Sequence, residues 1–326
     1  VKLSITDVLR RGLDNTLANW PVIAIRLIEA LVLAAIAIAV VIISIVPIFV
    51  SLGVTTVSDP ETLAAAVIQL LATKWLILFY AFAISCVVLT VVLVVHSFVE
   101  AGCARIYIDG ERAAGPAIAG ARDRYRTYTF VRWWDAARDG GWTVFWIYNL
   151  IWGVVGIVLL LPLMPLGGAM FAYRDNEGAL ACTGCFGLLA LVLICVPLAI
   201  VASVWTQKSI VVAMARDCNA RDAIRVSWLE VKADMLRHVI VTLALMAISI
   251  AGSTVFGGFS GALQMGSTIS KSGSLMLAFM PFRIVLWVLS TAFSSAIAGW
   301  LLASFAALSP EPVGRLPIAV GRGGEA

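Results

Sequence analysis

Charge is scarce in this sequence. Asp, Glu, Lys and Arg make up 13% of its 326 residues, hydrophobic residues make up 61%, and the mean hydropathy is +1.00. A soluble domain carries about twice that charged share. It must also keep its surface largely polar, which so apolar a chain of this length cannot do. The composition therefore excludes an ordinary soluble protein and points to one solvated by a bilayer. The net charge of +4 is mild and dispersed, which argues against a nucleic-acid partner.

Histidine is nearly absent, with only His96 and His238. A His-Glu-x-x-His zinc helix is missing, and so is a P-loop Gly-Lys-Ser/Thr. The nearest approach to a Gly-x-Ser-x-Gly elbow, Gly257-Gly258-Phe259-Ser260-Gly261, misses the spacing. Nothing in the residues asks for a cofactor or a metal, and a non-enzymatic protein is expected. Of six cysteines, only Cys182 and Cys185 have motif spacing. They read as structural thiols, with a disulfide or a redox pair as the alternatives.

Long apolar runs, by contrast, are plentiful. Six segments, 22–54, 75–99, 142–171, 179–207, 239–262 and 275–308, each reach the roughly 20 residues a span requires. The expected fold is all-α: a polytopic transmembrane helix bundle of about six spans, with interfacial amphipathic helices on the cytoplasmic side. Residues 1–308 read as one membrane domain, and 309–326, rich in Pro and Gly, as a disordered tail. Pro47, Pro162, Pro165, Pro197 and Pro281 are candidate helix ends or kinks. No cleavable signal peptide is evident, because the first apolar run is too long for one.

Eighteen of the 23 basic residues fall before the first span, in segments 100–141 and 208–238, or in the tail. The alternate connections hold only Lys74, Arg174 and Lys271. The positive-inside rule makes the crowded side cytoplasmic, with both termini there.

An internal repeat accompanies this topology. Asp7-Val8-Leu9-Arg10 before span one and Asp222-Ala223-Ile224-Arg225 before span five are 215 positions apart, and Asp135-Ala136-Ala137-Arg138 before span three is the candidate for a third copy. The pattern reads as an amphipathic helix followed by a transmembrane hairpin. Ile224, Trp228, Val231 and Met235 share one apolar face. Charge is expected to be harmful at Trp228, while Glu230, on another face, should tolerate Lys. Trp20, Trp133, Trp134, Trp142 and Trp228 fall where aromatic rings favour the headgroup level.

Two stretches carry a family resemblance. They are Ser4-Ile5-Thr6-Asp7-Val8-Leu9-Arg10-Arg11 leading to Asn19-Trp20-Pro21, and Arg216 to Ala220 before the Asp222 helix. With this layout they resemble the membrane domain of some glycerophosphodiester phosphodiesterases and the UPF0259 inner-membrane family of bacteria. The resemblance implies a bacterial cytoplasmic (inner) membrane location and brings no catalytic residues.

A few polar groups stand where lipid makes them costly. Arg26 and Glu29, three apart in span one, can pair on one face, and His96, Glu100 and Arg105 mark the inner end of span two. They read either as interfacial anchors or as a polar vestibule. Arg283 stands in span six near its outer end, snorkelling or binding a lipid phosphate or a carboxylate. Small residues recur every four positions in two spans: Ser253, Gly257 and Gly261 in span five, and Thr291, Ser295 and Gly299 in span six. These stripes are expected to pack on each other, with a subunit interface as the alternative. The leading functional expectation is an accessory or scaffold bundle, or a lipid-associated factor, whose partners are the bilayer, other membrane proteins or a second copy. A transporter or permease is the rival.

Overall fold

A computed structural model describes residues 3–52, 75–115, 122–172, 176–269 and 273–309. Among these the chain is helical, without strands: α1 (Ile5–Ala18), α2 (Trp20–Leu52), α3 (Trp75–Ala114), a 3-10 turn (Arg122–Tyr125), α4 (Phe130–Ala172), α5 (Glu177–Arg216), α6 (Ala220–Ala233), α7 (Met235–Ile269) and α8 (Gly273–Ala307). Six of them, α2, α3, α4, α5, α7 and α8, are long and apolar enough to cross a membrane. Lys74, Arg174, Lys271 and the tail beyond 309 lie outside the described residues.

None of the five prolines ends its helix. Pro162 and Pro165 lie within α4, Pro197 within α5 and Pro281 within α8, and α2 runs past Pro47. Three helices also run past their apolar segments on the basic side. α3 continues to Ala114 rather than ending near 99, α4 starts at Phe130 rather than 142, and α5 continues to Arg216 rather than 207. The 40 residues of α3 are about 60 Å long, roughly twice the hydrocarbon thickness. Segment 100–141 is therefore largely helix extension and not a connecting loop. Its polar residues mislead a hydropathy reading, because past the bilayer a helix needs only a neighbour to pack on.

The extensions meet in one core. Cys103, Ile106 and Tyr107 of α3, Val144 and Ile147 of α4, Ile210 to Met214 of α5 and Leu302 to Ala306 of α8 are all buried there. Around this core the spans follow a three-cornered plan. α3, α5 and α8 touch one another. Each outer helix lies between two inner ones: α2 between α3 and α8, α4 between α3 and α5, and α7 between α5 and α8. Each hairpin thus contributes one outer and one inner helix, as threefold repetition requires.

The repeat is physically present in two of its three units. Ser4 caps α1 through Asp7, whose carboxylate bonds back to Ser4, and Asn219 caps α6 through the Asp222 amide. Both helices are 14 residues long, and Trp20 and Met235 open the following spans at the same 215-residue offset. The two hydrogen bonds from Ser4 hold Asp7 below the usual carboxylate range. The middle unit differs. Asp135 lies inside the continuous α4, so no separate helix precedes span three.

α1 and α6 are also seated against the bundle. α1 buries Val8, Arg11, Gly12, Asn15 and Thr16, packing on α8 and closing the ring between the first unit and the last. α6 buries Ala223, Ser227 and Val231 against α5, where Ser227 and Ser209 share a hydrogen bond of 2.7 Å. Of the expected apolar face, Val231 is buried, while Trp228 is partly exposed and lies 4.8 Å from the Trp205 ring. Trp133 is buried against α3 rather than exposed at an interface.

Candidate functional site

The polar residues of spans one and two come together, but not in the pairing expected. Arg26 and Glu29 sit on one face of α2, and both side chains are buried. Arg26 reaches across to Glu100 on α3 in a direct ion pair. Glu29 accepts a 2.7 Å bond at His96 Nδ1, also on α3. His96 Nε2 lies 3.1 Å from the Tyr148 hydroxyl on α4. Five residues therefore tie α2, α3 and α4 together toward the basic end of the spans. The three-residue spacing of Arg26 and Glu29 matches the four-residue spacing of His96 and Glu100, so the pairs lie one turn apart on facing helices.

This arrangement can clamp three helices and hold a proton. With His96 neutral, Nδ1–H donates to Glu29 and Nε2 accepts from Tyr148. With His96 charged, both nitrogens donate. The His96 side chain is one-third exposed, whereas Glu29 is almost covered, so the imidazole lies at the edge of the network.

Arg105, expected beside His96 and Glu100, belongs to a different group. It pairs with Asp217 at 2.9 Å, bonds the Met214 carbonyl at 2.7 Å and approaches Asp109 at 3.6 Å. This ties α3 to the end of α5, beside a polar cleft that Arg132, Asp135 and Asp139 of α4 also line. Cys218 opens on the same cleft, and burial followed by the nearby Asp222 raises its thiol pKa above the usual value. Arg283 is half-buried in α8, and among the described residues it makes no ion pair. Cys182 and Cys185 are both exposed free thiols on α5.

The small-residue stripes pack otherwise than expected. Ser253, Gly257 and Gly261 are exposed, and a Cβ added at Gly257 or Gly261 meets open space. Gly252 carries the close approach to α8 instead, against Phe293. Ser295 and Gly299 of α8 are buried and Thr291 is half-buried, but Gly299 faces α3 and α1: its added Cβ would stand 2.6 Å from Tyr107 Oη and 3.5 Å from Thr16. A stripe fixes helical phase only. It does not say which neighbour occupies that phase.

Three parts of the polar interior escape the sequence reading. Lys208, counted there among cytoplasmic loop charges, is fully buried on α5, 3.0 Å from Glu230 of α6 and 3.0 Å from Ser309. Glu230 also pairs with Arg216. It is therefore the shared counter-charge of two cations, and the expectation that Glu230 tolerates Lys is overturned. The signal was available: apolar Ile210 to Met214 follows Lys208, which sets the lysine inside a helix core. Asn19 is the second. Its Oδ1 accepts from the amides of Thr127 and Tyr128 at 3.0 and 2.9 Å, and its Nδ2 donates to the Tyr125 carbonyl at 2.7 Å. One side chain thus fixes the strap before α4. The third is Arg11, paired with Glu111 of α3 at 2.6 Å and bonded to the Gly115 carbonyl.

Comparison with protein-family models, curated proteins and solved structures finds no match.

Proposed function

We propose that the protein is a non-enzymatic integral membrane bundle that acts through contacts in the plane of the bilayer, as an accessory or scaffold subunit or a lipid-associated factor. In this reading the basic end and both termini face the cytoplasm, in a bacterial inner membrane. One observation carries it. Only 6% of the residues in the most apolar stretches of α2 and α5 are buried within the chain. Large side chains such as Ile38, Val41, Ile42, Phe186, Leu189 and Leu193 stand outward. The helices are held together at one end and leave broad apolar flanks for lipid or for the helices of another membrane protein.

A permease is the second reading, favoured by the Arg26, Glu29, His96 and Glu100 network, because ionisable groups in spans often mark a path. Cysteine accessibility separates the two. In a cysteine-free background, single cysteines replace Ser85, Val88 and Val92. These are half-buried positions of the inner helix α3, farther from the basic end than the network. A contact-acting bundle leaves all three unmodified by an impermeant methanethiosulfonate applied from either side, while a control cysteine at Gly115 reacts. Modification of the three from water reveals a hydrated path and rejects the scaffold reading.

A further inference from the structure

We infer that Trp134, Arg138 and Trp142 of α4 form a docking site for the phosphate of an anionic phospholipid in the leaflet at the basic end. The three side chains recur every four residues, which places them on one helix face about 6 Å apart along the axis. All are exposed, Trp134 by 54% and Trp142 by 55%. Exposed indole rings in a membrane protein favour the headgroup level, where one edge meets lipid and the N–H meets water.

The two rings are held in place. Trp142 packs edge-on against Phe98 of α3 at 5.7 Å and against Phe145 at 5.6 Å. Trp134 stacks on Phe130 at 6.4 Å and touches Trp133 at 6.2 Å. Two fixed aromatic walls therefore flank one cation along the helix. A preformed site of this kind loses little side-chain freedom when a ligand settles in it.

The charges select the ligand. The carboxylates nearest Arg138 in sequence, Asp135 and Asp139, line the cleft they share with Arg105 and Arg132. Among the described residues, no carboxylate lies within ion-pair distance of Arg138. The outward stripe thus presents a guanidinium alone, a planar donor suited to a phosphate diester. α4 passes from this point into its apolar span, so acyl chains below the phosphate have Trp146 and Leu150, both exposed, to lie along. The inference needs only the bilayer and holds whether the bundle scaffolds or transports.

The test uses the full chain in nanodiscs of equimolar phosphatidylcholine and phosphatidylglycerol, with retained lipid counted by native mass spectrometry. The parent should keep phosphatidylglycerol in preference to phosphatidylcholine. Arg138→Gln should lower that preference about fivefold, the scale of one basic residue at an anionic surface. Trp142→Leu should weaken it, whereas Arg225→Gln, an exposed arginine on α6, should behave as the parent. Equal retention by Arg138→Gln and the parent, or no preference in the parent, overturns the proposal. So does displacement of the lipid by excess inorganic phosphate, which would make this a site for the free ion.

Discussion

Arg26 and Glu100 are a buried pair whose two halves cannot be judged separately. Removing one partner strands the other charge inside the bundle, whereas replacing both with apolar groups relieves the desolvation of each. Arg26→Met or Glu100→Leu alone should therefore destabilise the solubilised protein by about 3–5 kcal/mol, and the double variant should recover most of that loss. Thermal melting of the four proteins measures it, and additive losses would show that the pair is not coupled. Glu230 is held by the same logic. Glu230→Lys should cost about 3–5 kcal/mol, because Lys208 and Arg216 lose their common counter-charge. Lys232→Glu, exposed on the same helix, should stay within about 0.5 kcal/mol of the parent. The costly residues of spans one and two were legible in the sequence because charge in an apolar run is conspicuous. The roles of Tyr148 and Glu230 were not, since both look ordinary until the chain brings them to His96 and Lys208.

Helices show the same division between what a pattern fixes and what it leaves open. The cap, the 14-residue length and the following break of α1 recur in α6 because local side chains set them: Ser4 with Asp7, and Asn219 with Asp222. Such features can be read from sequence. The partner of a helix face cannot. The face of α8 that carries Gly299 meets α3 and α1 and not α7. Gly299→Leu should therefore cost about 1–3 kcal/mol through overpacking against Tyr107. Gly257→Leu, directed into open space, should melt no lower than the parent. Equal losses from the two substitutions would return Gly257 to a packed interface. Three helices outrun their apolar segments for a related reason. Hydropathy registers lipid, and the extensions of α3, α4 and α5 are stabilised by each other.

For the whole molecule, the basic segments that alternate along the chain come together at one end, joined by Arg11 to Glu111 and by Arg105 to Asp217. The six-helix plan was evident from the apolar runs, and the three-unit arrangement from the repeat, although its middle copy has no helix of its own. The closed ring, with α1 returning to α8, was not, because contacts between the two ends of a chain leave no mark on local pattern. The account turns on six spans sharing one packed, basic end, proposed to face the cytoplasm, and reporter fusions test that most directly. Fusions after Gly115 and Asn219 should report cytoplasmic, as should one after Gly314. Fusions after Asn176, Gly53 and Ser272 should report the opposite side. A cytoplasmic signal after Asn176, or an external one after Gly115 or Asn219, would break the alternation of spans and contradict the account.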